Sequence, residues 1–219
     1  TLVFKGVSRS PARHPQGLVY SHKLPGGLWL PGAASNTGAE WINALFPGRD
    51  VRAMDLAAEP RLPCDCVAYP LVRRGERFPF LCGRAEGFFA PEPADETERY
   101  AACLQAEALL ERMGYEVLDQ VTGNTGGEVF STGAASRSSV WTQCRADASG
   151  RVFHTPACPE SAFGSAVLAA AAAHRGDVWE AAAAMVRIEK TFAPRHALRS
   201  RYDALYERFR GELRRRGYA

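Results

Sequence analysis

The sequence has no long hydrophobic run. A membrane-spanning helix needs about 20 consecutive apolar residues. The nearest candidate in this 219-residue chain, the alanine-rich stretch Ala166–Ala173, is too short and too weakly apolar. The first residues, starting at Thr1, show no signal-peptide pattern. We therefore expect a protein that has no membrane partner and works in the cytoplasm.

The sequence also lacks cysteines in paired arrangements. It has six cysteines but no Cys-x-x-Cys, and Cys64 and Cys66 have no suitably spaced histidine. Because a structural zinc site needs four ligands in recognisable pairs, no metal ligand is predicted. Cys103 and Cys144 fall on apolar helix faces, where a thiol behaves as a small hydrophobic group. We expect reduced thiols, as in cytosolic proteins.

A strong excess of one charge is missing as well. The chain has 27 basic and 24 acidic residues, and its basic excess lies mostly in the last helix, at Arg208, Arg210 and Arg214–Arg216. Nucleic-acid binders more often carry a basic stripe with interleaved aromatics. We interpret this tail as a solvated helix face rather than a phosphate-binding patch, and expect no nucleic-acid partner.

No catalytic constellation is visible. The five histidines have no nearby partner in a recognised order, and surface or capping roles explain them. Asp95, Glu96 and Glu98 are acidic, but they sit at a predicted helix start, where the helix dipole favours negative charge. No catalytic residue is predicted within the chain.

What the sequence does contain is the composition of a globular domain. Hydrophobic residues make up 46% and charged residues 23%, and the length allows a sizeable core. A strand is predicted at Leu2–Gly6 and a hairpin around Pro25–Gly27. Ser35-Asn36 opens a helical pattern that Gly48 ends. Residues 50–95 are rich in Pro, Arg and Gly, and only Val67–Val72 there predicts a strand.

Helices and strands alternate in the second half. The clearest helix is Glu96–Met113, with one apolar stripe and Gly114 as its predicted stop. The alternation predicts an α/β layer structure with helices covering a sheet. The expected strands are Glu128–Thr132 and Arg151–His154, and the expected helices are one that buries Val140, Trp141, Cys144 and Ala148, then Ser161–Ala173, Val178–Thr191 and Arg195–Arg216.

Three stretches of small residues are candidates for ligand contact. Gly133–Ser138 links a strand to a helix, where small residues admit a ligand to the backbone and free N–H groups favour anionic or polar atoms. Gly32–Gly38 repeats that pattern, and two such turns indicate the rim of a cleft. Ala162, Gly164 and Ala166 keep a later helix thin. An ordinary tight turn, and for the helix close packing alone, are the alternatives.

Several segments, in order, resemble the C-terminal half of the FGGY carbohydrate kinases, and within that family the D-ribulose and D-xylulose kinase branch. Tyr20–Gly38 resembles the stretch before the family's first helix, and Gly75–Pro79 with Gly87-Phe88-Phe89 resembles its "GER-P … GF" motif. Thr132–Ser138 resembles its adenine-side loop. Trp141–Asp147 resembles its "W-x-Q-x-x-A-D" helix, and Glu160–Ala169 its "E-x-x-A-x-G-A-A-x-L-A" helix.

The resemblance implies an actin-like, ribonuclease-H-like domain, with a mixed sheet flanked by helices, over residues 1–219. This domain would hold ATP with Mg²⁺, while the sugar site and the proton-accepting aspartate would lie in a separate upstream domain. The residues implied to bind the nucleotide are Thr1, at the end of the phosphate turn, Gly32 and Asn36, at a turn and helix start, and Gly133, Ala134 and Ser138, in the adenine loop.

Three residues depart from the family pattern. Ala134 stands where glycine is usual, and Gln105-Ala106 replaces a common Glu-Gly. The resemblance thus implies the nucleotide-binding half of a ketose kinase, inactive alone and with an exposed face that favours a homodimer. The alternative is an actin-like binding or regulatory module without catalysis.

Overall fold

A three-stranded antiparallel sheet begins the fold in the computed structural model, which describes residues 1–174 and 176–219. Its strands pair in the order β1-β3-β2. They are β1 (Leu2–Lys5), β2 (Tyr20–Lys23) and β3 (Trp29–Ser35). A 3-10 turn at Pro25–Gly27 joins β2 to β3, which confirms the predicted hairpin with its edge strand.

The predicted helix start at Ser35-Asn36 is wrong. Strand β3 continues through Ser35, because Gly32–Ser35 pair with all four residues of β1. Helix α1 begins only at Glu40 and ends at Leu45. The small residues after Leu30 are therefore the interior of a central strand, not a turn.

The middle of the chain holds two short elements that the sequence analysis missed. Helix α2 (Val51–Ala58) is capped by Asp50, whose side chain accepts hydrogen bonds from the backbone N–H groups of Arg52 and Ala53. Strand β5 (Phe88–Ala90) pairs antiparallel with β4 (Val67–Tyr69), the predicted strand in a shorter form. The Pro, Arg and Gly content of the whole window masked these elements.

The long helix α3 (Glu96–Thr122) forms the centre of the molecule. The prediction that Gly114 ends it is wrong. A Cβ at Gly114 would lie 2.9 Å from Cε1 of Phe4 and 3.0 Å from Cε1 of Phe78, so this glycine lets two rings pack against the helix. The helix ends at Gly123, whose φ of 71° is left-handed.

The second half forms a mixed sheet with helices around it. Strand β6 pairs parallel with β7, and β7 pairs antiparallel with β8. The strands are β6 (Val129–Phe130), β7 (Phe153–Pro156) and β8 (Ile188–Phe192); the helices are α4 (Ser139–Ser149), α5 (Ser161–Ala173), α6 (Val178–Met185) and α7 (Arg199–Arg215). The α/β class and the mixed sheet are confirmed.

One predicted helix in this half is partly a strand. Val178–Thr191 was expected to be helical, but α6 ends at Met185 and β8 follows. The open edge of β7 offers unpaired backbone groups, and the β-branched residues Val186, Ile188 and Thr191 favour the extended conformation that pairs with it.

One main core contains residues of helices α1, α2, α3, α4 and α7 and of the β4–β5 pair. Its aromatic centre is the ring of Trp41, 5.3 Å from that of Tyr100 and 5.7 Å from that of Trp141. Helix α7 buries Tyr202, Leu205, Tyr206, Phe209 and Leu213, as its spacing predicts. The arginines of its outer face pair with carboxylates of Asp65, Glu207 and Glu212.

Helix α5 lies on the surface, with only Val167 and Ala171 buried. Ala162, Gly164 and Ala166 are exposed. Close packing therefore does not explain these small residues, and none of them lines the cavities described below. Among the described residues, no helix is both long enough and apolar enough to cross a membrane.

Candidate functional site

Two adjoining cavities form a groove where the N-terminus, the loop after β3 and the loop after β6 meet. The first, of about 410 Å³, reaches from Thr1 to Ala135 and has Glu107 among its lining residues. The second, of about 750 Å³, lies between α1, α2 and the start of α4. Ala39, Ala134, Ala135 and Trp141 line both. We call the first the inner cavity, the second the outer cavity, and the pair the groove.

The loop between β6 and α4 is built for a sharp change of direction. Gly133 has a φ of 87°, and a 3-10 helix over Ala134–Arg137 follows at once. Ser138 then caps α4, its Oγ accepting a hydrogen bond of 3.0 Å from the backbone N–H of Trp141. A Cβ at position 133 would meet no described atom within 4 Å, so crowding does not explain the glycine. Its positive φ does, because other residues rarely adopt that conformation.

Ala134 occupies the first position of that 3-10 helix, which is a right-handed conformation. Its methyl group therefore causes no backbone strain. Any effect of this methyl group on a ligand must come from the space that it takes in the shared wall of the groove.

A buried ion pair fixes the floor of the inner cavity. The Arg145 guanidinium donates hydrogen bonds of 2.5 and 2.8 Å to the Glu111 carboxylate, and a third of 2.7 Å to Ser131 Oγ. Burial alone would lower the pKa of Arg145, but the Glu111 carboxylate outweighs burial and raises it. This arginine therefore ties the end of β6 to α3 and α4.

Trp141 separates the two cavities and leaves a hydrogen-bond donor free. Its ring is 4% exposed, and its Nε1 has no partner among the residues that the structure describes. A buried indole N–H normally finds an acceptor. A bound polar molecule in the groove is one way to supply it.

The outer cavity combines apolar walls with a buried acid. Ile42, Leu56 and Val140 contribute apolar surface. Asp55 accepts a hydrogen bond of 2.9 Å from the Tyr100 hydroxyl, and burial raises the pKa of its carboxyl group. A flat, mostly apolar molecule with one polar edge fits such a space.

The loop Ser35–Gly38, which borders the inner cavity, is held by Glu76 of the "GER" segment. The Glu76 carboxylate accepts hydrogen bonds of 2.7 Å from both Ser35 Oγ and the Asn36 backbone N–H. Asn36 Nδ2 also donates a hydrogen bond of 3.0 Å to the Gly75 carbonyl oxygen. The motif therefore shapes the loop beside the groove.

Four of the six sequence-predicted site residues meet at the groove. Thr1 and Gly133 line the inner cavity, Ala134 lines both, and Ser138 lines the outer one. Within the part of the chain that the structure describes, Gly32 and Asn36 do not line either cavity.

The prediction that Gly32 and Asn36 lie at a turn and a helix start is wrong. Gly32 is inside β3, where a Cβ would lie 2.4 Å from the Phe4 carbonyl oxygen, so close approach of strands requires glycine. The side chain and backbone of Asn36 are both engaged by the Gly75–Glu76 segment. Their observed contacts are structural.

The sequence analysis missed Asp55, Glu107, Glu111 and Arg145. The sequence contains one local sign of these residues: Glu107 and Glu111 are four residues apart in the helix, next to its apolar stripe. Since α3 proves to be buried on several faces, these charged side chains are internal.

Comparison with known proteins gives this architecture a family. The model of the C-terminal domain of the FGGY family of carbohydrate kinases matches residues 4–173, more than three quarters of the chain. The chain belongs to this family. The motif assignments made from the sequence are consistent with it.

Solved structures of FGGY relatives share the fold. Xylulose kinase from Rhodospirillum rubrum is 26% identical with a TM-score of 0.80, over 96% of this chain and 44% of that one. Gluconate kinase from Lactobacillus acidophilus is 17% identical with a TM-score of 0.84, over 99% and 46%. Glycerol kinase from Plasmodium falciparum with ADP is 14% identical with a TM-score of 0.71, over 96% and 44%.

These similarities confirm the predicted sugar-kinase C-terminal fold. This FGGY chain spans less than half of the length of each of those kinases. The names of these kinases differ in substrate: xylulose, gluconate and glycerol.

Proposed function

We propose that the groove binds ATP, with the adenine in the outer cavity and the phosphates in the inner cavity towards Thr1. The observation that carries this proposal is the convergence of Thr1, Gly133, Ala134 and Ser138 on one groove. Thr1 lies more than 130 positions from the other three residues in the sequence. The apolar walls and single buried acid of the outer cavity suit a purine base.

Magnesium would enter with the nucleotide. Within the part of the chain that the structure describes, no group of three or more His, Cys, Asp or Glu side chains could hold a metal ion. These residues therefore do not form a magnesium site by themselves. When bound to the phosphates, Mg²⁺ neutralises charge that develops during phosphoryl transfer.

We further propose that residues 1–219 are the nucleotide-binding half of a kinase that phosphorylates a ketose such as D-ribulose or D-xylulose. Family membership and the similarity to a xylulose kinase support this choice. The other half would supply the sugar site and the general base. Phosphoryl transfer depends mainly on positioning and charge stabilisation, so half a site is expected to give no turnover.

A coupled ADP-release assay tests the enzymatic proposal. The whole protein should release ADP faster with D-ribulose or D-xylulose than with glycerol or D-gluconate, whereas chain 1–219 alone should not exceed its background with any of them. Loss of general-base help alone costs about 10²–10⁴ in rate. Binding of ATP without turnover of any sugar by the whole protein would contradict the kinase and support a non-catalytic module.

A further inference from the structure

A buried carboxyl group on α3 has no evident task in the fold. Glu107 is 1% exposed, and its Oε1 has no hydrogen-bond partner among residues 1–174 and 176–219. The same side chain lines the inner cavity. A buried carboxyl oxygen without a partner is costly, so its protonation state matters.

The other oxygen of Glu107 lies at the end of a row of four contacts between side-chain oxygens, of which the first three have normal hydrogen-bond lengths. The Tyr69 hydroxyl lies 2.5 Å from Glu76 Oε2, which lies 2.7 Å from Ser35 Oγ. Ser35 Oγ lies 2.8 Å from Thr37 Oγ1, and Thr37 Oγ1 lies 3.5 Å from Glu107 Oε2. All five side chains are buried.

The hydroxyl protons of this row are used before they reach Glu107. Tyr69 and Ser35 donate theirs to Glu76 Oε2, so Thr37 supplies the proton of its 2.8 Å contact with Ser35 Oγ. The 3.5 Å approach of Thr37 Oγ1 to Glu107 Oε2 is longer than a normal O–H···O hydrogen bond. Neither oxygen of Glu107 therefore has a strong donor.

The surroundings of Glu107 disfavour its charged form. Glu76 Oε1 accepts hydrogen bonds from the backbone N–H groups of Asn36, Arg77 and Phe78. Glu107 has no comparable donors. Burial, reinforced by the nearby Glu111 carboxylate, raises the pKa of Glu107 to about 8, although the contact with Thr37 acts in the opposite direction.

We propose that Glu107 controls the charge of the nucleotide groove, and that it must be uncharged for a nucleotide to bind. Uncharged, it places no negative charge in the wall of the inner cavity. Charged, it would repel the phosphates. This inference rests on the proposed ATP site.

The groups around Glu107 set the direction of the pH effect. The titratable or charged groups that face it come from the N-terminus, β4, the loop after β4, α3 itself and α4: the Thr1 amino group, Tyr69, Glu76, Cys103, Glu111 and Arg145. Because the pKa of Glu107 is raised, its uncharged form prevails at neutral pH and is lost above about 8. ATP affinity should fall accordingly.

The test is the dissociation constant of ATP, measured by calorimetry on chain 1–219 between pH 7 and 9.5. For the parent chain it should rise above the pKa of Glu107 by up to about tenfold per pH unit. Glu107→Gln mimics the uncharged acid and should remove that part of the slope. Glu40→Gln, which removes a partly exposed carboxylate from the same cavity, should keep it. The Thr1 amino group is present in all three chains, so its effect cancels.

Three outcomes would overturn the inference: a flat profile for the parent, the same slope in Glu107→Gln as in the parent, or loss of the slope in Glu40→Gln. If Glu107→Gln does not fold, a pH titration of the carboxyl ¹³C signal of Glu107 in the parent chain tests the proposal instead. The titration midpoint should lie near pH 8, and a midpoint below pH 6 contradicts the proposal. If the parent binds no ATP at any pH while that midpoint is near 8, the proton is where we place it and the proposed nucleotide site is wrong.

Discussion

At the scale of single residues, Ala134 is the most informative position in the groove. It lines both cavities and has a right-handed backbone. Ala134→Gly should therefore leave ATP binding unchanged or tighten it, at a stability cost of about 0.5–1 kcal/mol from added backbone freedom. Ala134→Val places two further methyl groups in the wall and should abolish binding. Parent affinity should be on the order of millimolar, or about −4 kcal/mol.

Calorimetric titration of ATP into the three chains checks this. The glycine variant is the matched control, because it changes the same position without adding bulk. Binding of ATP by Ala134→Val with the affinity of the parent would show that the nucleotide lies elsewhere.

The same scale shows what the sequence could reveal about the site. The local pattern of small residues between a strand and a helix indicated the loop Gly133–Ser138 as a candidate, and the family resemblance implied Gly133, Ala134 and Ser138 within it. Asp55 and Glu107 could not be predicted. A single acid in a helical segment gives no sign of burial until the neighbouring elements are placed around it.

At the scale of elements, two glycines inside helices make opposite predictions. Gly114→Ala improves helix propensity by about 1 kcal/mol, but its Cβ would press on the buried rings of Phe4 and Phe78 at 2.9–3.0 Å. Overpacking of this kind costs about 1–3 kcal/mol, so we expect a net loss of stability. Gly164→Ala in α5 meets no described atom within 4 Å and should stabilise by up to about 1 kcal/mol.

Urea unfolding of the two variants measures both free energies. Equal gains in stability from both substitutions would contradict the packing of β1 and the "GER" segment against α3. The two variants share the same chemical change, so they differ only in what surrounds the new methyl group.

Elements with their own strong pattern could be predicted, and those that depend on a partner could not. Ser161–Ala173 is helical with the predicted bounds. Strand β8 and the extension of β3 through Gly32 depend on pairing with β7 and β1, which are distant in sequence. A local apolar pattern cannot show whether a strand edge is available.

At the scale of the whole molecule, distant segments of the chain form one groove together, and the proposed ATP site is this groove. The order of strands and helices predicted an α/β domain, and the family assignment confirms its type. The sequence could not show that the outer and inner cavities adjoin, because this follows from the packing of α1, α3 and α4 around Trp41 and Trp141.

The most direct test of the nucleotide site is an ATP titration of chain 1–219 followed by backbone amide chemical shifts in NMR. We predict saturable shifts that are largest at Gly133–Ser138 and at Gly38–Glu40, the two loops that border the groove. Saturable shifts confined to another surface, such as the small cavity between Cys64 and Arg208, would contradict the account, as would the absence of any shift at ATP concentrations well above a millimolar.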